Sequence, residues 1–241
     1  MKRWKTTNGV EIVQVLGGRS NSYLVSSDNG NVLVDTGVES AFIQLQKNMD
    51  QLRLTNKNID VLVLTHTHFD HCQNACAIRE QEKCILVMGE KEACYSLSGY
   101  TPLPNGTFPI TRIISKLGNR IGQSRFGYKP FVADKLINST LNLDDYNLTL
   151  IPTSGHSQGS ISVIIDNEIA IVGDTLFGVF RNWVFPPFAD DIDGMLKSWE
   201  ILLNTTCNTF LPGHGKVIKR ELLQREFDKH IRKRRIKKSI Q

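Results

Sequence analysis

The sequence has no apolar run long enough to cross a membrane, and its basic N-terminus lacks the continuous apolar stretch of a secretory signal. Between Val10 and Leu16 the apolar residues are interrupted by Glu11 and Gln14. Cysteine is scarce: the five cysteines are an odd number, and free thiols in a reducing compartment explain them most simply. These absences argue against a secreted or membrane-spanning protein, and we expect a cytoplasmic one.

Over most of the chain, acidic and basic residues are nearly balanced in number. The net charge of +5 arises at the C-terminus, because residues 219–238 contain ten Lys or Arg residues against three acids. We predict a basic, solvent-facing C-terminal helix over about 219–238; contact with nucleic acid or an anionic membrane is the alternative. We therefore expect neither a membrane nor a nucleic acid as partner, and a single domain over residues 1–241.

Strand and helix patterns alternate along the chain, which predicts an α/β fold. Residues 59–64 form a near-continuous apolar run, as expected for a strand buried on both faces. Apolar residues recur at helical spacing over 41–52. The remaining patterns predict strands over 11–16, 22–26, 31–35, 84–88, 147–152, 160–165, 168–172 and 209–211, and helices over 72–82, 91–97 and 192–203.

The stretch over about 99–142 has no strong period and contains four prolines, which predicts an irregular insertion. It carries six Lys or Arg residues against Asp134 alone. Placed over a functional site, this basic insertion would favour an anionic small-molecule substrate. A solvated surface insertion or an oligomer contact is the alternative, and the sequence does not specify the oligomeric state.

Five of the six histidines lie in three short clusters: Thr65-His66-Thr67-His68-Phe69-Asp70-His71, Ser154-Gly155-His156-Ser157 and Pro212-Gly213-His214-Gly215. Residues two apart in an extended segment point the same way, so His66 and His68 can bind one ion, while Asp70 and His71 point to a second position. Asp174 follows another predicted strand, so every candidate ligand lies just beyond the C-terminal end of a strand. The pattern predicts a two-metal site; the sixth histidine, His230, is expected at the surface.

Five motifs, in order, resemble the metallo-β-lactamase fold superfamily of metal-dependent hydrolases: Val34-Asp35-Thr36-Gly37, the His66–His71 cluster, Gly155-His156-Ser157, Gly173-Asp174-Thr175-Leu176-Phe177 and Leu211-Pro212-Gly213-His214-Gly215. The resemblance implies an αββα four-layer sandwich with the metals at one edge. It also implies that one metal is bound by His66, His68 and His156, the second by Asp70, His71 and His214, and both by Asp174. An aspartate at position 174, where lactamases tend to have cysteine, is more similar to the glyoxalase II and lactonase branch. Asp35 is expected to orient a ligand histidine.

The resemblance implies a dinuclear hydrolase of a small ester, thioester or lactone. Two metals lower the pKa of a shared water, so that a metal-bridging hydroxide would attack while Asp70 orients it and moves its proton. Two zinc ions are the default for nitrogen and oxygen ligands, and iron or manganese stays open. The alternatives are a phosphodiesterase or nuclease of the same fold and a mono-iron enzyme similar to persulfide dioxygenases.

Overall fold

The computed structural model describes residues 1–52 and 58–239, with side chains as far as Arg234, and these residues form two facing β-sheets. The first sheet has the strand order β1 to β7: β1 (Arg3–Lys5), β2 (Glu11–Leu16), β3 (Ser22–Ser27), β4 (Gly30–Val34), β5 (Val61–Leu64), β6 (Ile85–Gly89) and β7 (Lys135–Ile137). The second sheet runs from β13 back to β8: β8 (Leu141–Leu143), β9 (Leu148–Pro152), β10 (Ile161–Ile165), β11 (Ile169–Gly173), β12 (Thr209–Pro212) and β13 (Ile218–Lys219). The predicted strands are confirmed to within two residues at each end, and the short strands β1, β7, β8 and β13 were not predicted.

The alternation of side chains along each strand divides the core into three layers. In β5, Val61 and Val63 face the second sheet, whereas Leu62 and Leu64 face the opposite side. The apolar cluster between the sheets combines β2–β7 with β9–β12. Both faces of β5 are therefore buried, as its unbroken apolar run predicts.

Helices cover the outer face of each sheet. The helices are α1 (Phe42–Asp50), α2 (Phe69–Cys72), α3 (Ala75–Glu82), α4 (Ala93–Ser98), α5 (Pro109–Phe126), α6 (Ile192–Asn204) and α7 (Arg220–Ser239). Residues of α1 and α3 bury the outer face of the first sheet, and residues of α6 and α7 bury that of the second. The αββα sandwich expected from the sequence is thus confirmed. Within the described residues, no helix is both long and apolar enough to cross a membrane, and none of the five cysteines forms a disulfide.

The prediction of an irregular segment over 99–142 is wrong for its central part, which forms α5. Pro109 stands at the first helical turn, where its missing N–H breaks no hydrogen bond. The helix turns small residues inward, namely Thr111, Ser115, Gly118 and Gly122. Its large apolar residues are instead 48–69% exposed: Ile110, Ile113, Ile114, Leu117 and Ile121. These apolar residues recur at ordinary helical spacing, but the prolines and glycines of the stretch are typical of loops and led to the wrong prediction.

The C-terminal helix is present as α7, but its first half is packed rather than solvated. Leu223 is fully buried against the outer face of the second sheet. His230, expected at the surface, stacks on Phe185 with ring centroids 4.3 Å apart. Arg225, Lys229, Arg232 and Lys233 are exposed on this helix, and this local charge concealed its apolar contacts in the sequence.

Candidate metal centre

The first histidine group lies where β5 ends. The chain leaves β5 at Leu64 in an extended conformation, so His66 and His68 come close together, with ring centroids 4.6 Å apart. The loop after β9 brings His156 against them, and its Nε2 lies 2.9 Å from Nδ1 of His68. Ligand atoms of these three buried residues all lie within 4.8 Å of one another. The structure therefore assembles the first predicted trio.

The second group lies one helical turn further along the chain. Asp70 and His71 belong to α2, which begins directly after His68 and directs their side chains to a different position. His71 Nε2 lies 3.3 Å from Nε2 of His214, which follows β12. Nε2 of His214 is also 3.6 Å from Oδ2 of Asp70. These residues form the second predicted trio, and unlike the first it is partly open to solvent.

Asp174 connects the two groups. It follows β11, and its Oδ1 lies 3.5 Å from His71 Nε2. Its Oδ2 lies 3.6 Å from His156 Nε2 and 3.2 Å from His214 Nε2. The neighbouring Gly213 has to be glycine, because a Cβ there would collide with the Asp174 carboxylate. All seven residues predicted as ligands thus lie in one cluster, with Asp174 between the two trios.

The cluster is electrostatically coupled. Burial alone would lower the pKa of His71, but the carboxylates of Asp174 and Asp35 raise it to about 10. Burial would raise the pKa of Asp174, but the surrounding His214, His71 and His156 hold it well below its usual range. Burial and the neighbouring histidines keep the pKa of His66 and His68 well below the ordinary value. His66 and His68 are therefore neutral at pH 7, the form in which imidazole binds a metal.

Two buried polar atoms in this cluster test whether the residues fit a metal. Nε2 of His66 and Oδ1 of Asp174 are inaccessible to solvent and accept or donate no hydrogen bond. Buried polar atoms are nearly always satisfied, and leaving one unsatisfied costs about 1–3 kcal/mol. Both atoms are ordinary ligand types for divalent metals, and the ligand atoms of each trio are mutually close. The donor set therefore fits metal ions.

Contacts behind the cluster orient the imidazole rings. Asp35 accepts hydrogen bonds from the Thr65 backbone N–H and hydroxyl, both 2.8 Å long, and lies 2.9 Å from Nδ1 of His71. Its backbone adopts φ 60°, a left-handed conformation that aspartate tolerates better than most residues. Nδ1 of His156 lies 2.9 Å from the Phe188 carbonyl oxygen, to which it can donate, leaving Nε2 for the cluster. The structure places Asp35 in the orienting position expected for it.

The sequence does not predict Glu92 as a residue of this site. Its side chain is completely buried, and no lysine or arginine of the described chain forms an ion pair with it. Oε2 accepts from the backbone and hydroxyl of Thr67, and Oε1 accepts from the Ser157 hydroxyl and the Gly159 N–H. Glu92 thus joins the loop of His66 and His68 to the loop of His156. In the sequence it lies in Glu90-Lys91-Glu92, which has the composition of an exposed helix start, so a single sequence gives no signal for it.

The histidine and aspartate cluster at the edge of an αββα sandwich defines a metal-binding hydrolase scaffold. The family model of the metallo-beta-lactamase superfamily matches residues 15–214, so the chain belongs to that superfamily and is a metal-dependent hydrolase. Consistently, it is 31% identical to a probable metallo-hydrolase of Methanocaldococcus jannaschii over 83% of this chain and 90% of that protein. It is also 27% identical to the hydroxyacylglutathione hydrolase GloC of Haemophilus influenzae, over 70% of this chain and 72% of that one.

Solved structures have the same fold. The BLEG-1 B3 metallo-beta-lactamase superposes with a TM-score of 0.67 and 22% identity, covering 88% of this chain and 95% of that one. The archaeal superfamily protein ST1585 from Sulfolobus tokodaii superposes with a TM-score of 0.65 and 16% identity, covering 91% of this chain and 86% of that one. At these identities the likeness concerns the fold alone.

Proposed function

We propose that the protein is a dinuclear zinc hydrolase of a small ester, thioester or lactone. The observation that carries the proposal is the seven-residue cluster in which His66 Nε2 and Asp174 Oδ1 are buried without hydrogen-bond partners. One ion would be held by His66, His68 and His156, and the other by Asp70, His71 and His214. Asp174 would contact both, since its carboxylate lies beside His156 of the first trio and beside His71 and His214 of the second. A relative named for thioester hydrolysis supports this class of substrate.

Residues of the chain can accept the proton of the attacking water and orient the imidazole rings of the metal ligands. When bound, two divalent ions would supply a water of lowered pKa and polarise the substrate carbonyl. Asp70 lies partly exposed beside His214, so its carboxylate can accept the proton that the attacking water gives up. That proton then passes to the alkoxide or thiolate that leaves, and the net reaction adds water across the acyl bond. Asp35 and the Phe188 carbonyl keep the rings of His71 and His156 aligned.

Metal quantification combined with a substrate panel tests the proposal. We expect two zinc ions per chain and turnover of thioesters, esters or lactones in preference to phosphodiesters and cephalosporins. His68→Ala and Asp174→Ala should lose both metal and turnover, because each removes a buried ligand. His230→Gln is the matched control, since His230 is the one histidine outside the cluster and should leave metal content unchanged.

Other outcomes would contradict the proposal. One iron per chain would point to redox chemistry, and preferential phosphodiester cleavage would point to a nuclease-like activity. If His68→Ala or Asp174→Ala retained both metal and hydrolysis at wild-type levels, the ligand assignment itself would be wrong.

A further inference from the structure

Two segments outside the metal cluster are attached to the loop that carries His214. The first is the β2–β3 loop, residues 17–21. The backbone N–H of Asn21 donates to the Gly213 carbonyl at 2.7 Å, and its side-chain amide donates to the carbonyls of Pro212 and Gly215 at 2.9 and 3.2 Å. The Ser20 hydroxyl donates to the Asp70 carbonyl. This loop is therefore fastened to both halves of the second metal trio.

An exposed cation stands at the tip of this loop. The guanidinium carbon of Arg19 lies 4.9 Å from the centroid of the Phe69 ring, and Phe69 is the residue between His68 and Asp70. A guanidinium over an aromatic ring is attracted by the negative face of the ring, which orders the long side chain before any ligand arrives. None of the carboxylates that the structure describes forms an ion pair with Arg19. The guanidinium N–H groups of Arg19 are thus ordered and exposed to solvent. They lie beside Phe69, which adjoins the metal ligands His68 and Asp70 in the sequence.

The second segment supplies an apolar surface. The Gly178 N–H donates to the His214 carbonyl at 2.9 Å, and the Phe177 ring lies 5.2 Å from the His214 ring. The next two residues, Val179 and Phe180, are 53% and 58% exposed. The Lys216 N–H in turn donates to the Gly178 carbonyl at 2.9 Å, so backbone hydrogen bonds hold this segment against the His214 loop. Exposed apolar side chains are therefore fixed beside the open metal trio.

We propose that Arg19 binds an anionic group of the substrate, while Val179 and Phe180 contact its apolar part. This inference rests on the proposed hydrolysis and names its substrate class: an acyl compound that carries a carboxylate or a phosphate together with an aliphatic chain. An arginine binds either anion through two parallel N–H···O bonds. The basic α5 contributes long-range attraction, but its cations are spread along the helix, whereas Arg19 is stacked on a residue of the ligand motif itself.

Three esters with one leaving group test the subsite: p-nitrophenyl butyrate, mono-p-nitrophenyl glutarate and p-nitrophenyl 4-phosphonobutyrate. Arg19→Gln should raise KM for the anionic ester that the wild type prefers by about tenfold, the effect of losing one charge-assisted hydrogen bond. The KM for the neutral butyrate and every kcat should stay within twofold. Arg19→Lys should recover part of the loss, since it keeps the charge without the bidentate fork. The preferred anionic ester distinguishes carboxylate from phosphate.

Arg120→Gln is the matched control, an exposed arginine on α5 that loses the same charge. Equal effects of Arg19→Gln and Arg120→Gln, or equal effects of Arg19→Gln on neutral and anionic esters, would overturn the proposal. Binding of butyrate, glutarate and methylphosphonate to the metal-loaded protein, measured by ligand-observed NMR, separates this result from the proposed function. If none of the esters is hydrolysed, the proposed hydrolase activity is contradicted. The anion subsite is then supported if Arg19→Gln abolishes the preference for an anionic ligand in the NMR binding experiment, and contradicted if the preference remains.

Discussion

Replacing Glu92 by glutamine should loosen the contact between the two loops that carry the first metal trio. The carboxylate accepts four hydrogen bonds, and two of the donors are backbone N–H groups, those of Thr67 and Gly159. An amide of the same size has only one accepting oxygen, so whichever way it is oriented one of these N–H groups faces an NH₂. The hydroxyls of Thr67 and Ser157 can rotate, but a backbone N–H cannot. One buried donor is therefore left unsatisfied.

The expected loss of stability follows from that single unsatisfied backbone N–H group. An unsatisfied buried donor costs about 1–3 kcal/mol, so we expect Glu92→Gln to lower the free energy of unfolding of the metal-free protein by about 2 kcal/mol. Because residues behind metal ligands typically alter affinity 10–100-fold, the metal held by His66, His68 and His156 should bind about tenfold more weakly. Denaturant unfolding after chelation measures the first effect, and competition with a chromophoric chelator measures the second.

Glu90→Gln is the matched control for this prediction. Glu90 lies two residues away in the same turn, but it is exposed, and its carboxylate accepts a hydrogen bond from the Asn138 amide. Glu90→Gln should change the free energy of unfolding by less than about 0.5 kcal/mol, as most surface substitutions do. If Glu92→Gln unfolded like the wild type and bound metal equally well, Glu92 would not couple the two loops, and the reasoning would be refuted.

Three further substitutions test other parts of the structure. Asp35→Asn should weaken metal binding about 10–100-fold, because Asp35 orients His71, and chelator competition measures this. Gly155→Ala should lower both metal content and melting temperature, since φ is 139° there and a Cβ would collide with the Met195 backbone at the start of α6. Leu223→Ala should lower the free energy of unfolding by about 2–5 kcal/mol in a denaturant titration, whereas a solvated α7 would give a change below 0.5 kcal/mol.

The parts of the fold that follow ordinary periodicity could be predicted from the sequence. The run Val61-Leu62-Val63-Leu64 has no polar residue because both faces of β5 are buried, and this is visible in one sequence. The candidate ligands were predictable for a related reason. Parallel strands end at the same edge, so polar residues directly after successive strands must meet.

Features that depend on tertiary partners could not be predicted. The helix α5 has an apolar stripe at helical spacing, but it exposes this stripe and buries Gly118 and Gly122 instead, the reverse of what an amphipathic pattern predicts. Its inward face is decided by close packing against Leu103 and Tyr100, which no local pattern records. Glu92 is likewise indistinguishable from an exposed glutamate until Thr67 and Ser157 are placed around it.

The position of the cluster at the seam between the sheets has a mechanical consequence. His66, His68, Asp70 and His71 follow the first sheet, whereas His156, Asp174 and His214 follow the second. Each trio therefore takes residues from both halves of the chain. Any ion bound there acts as a cross-link between two halves that are distant in sequence. Its binding free energy adds directly to the free energy needed to separate the two sheets.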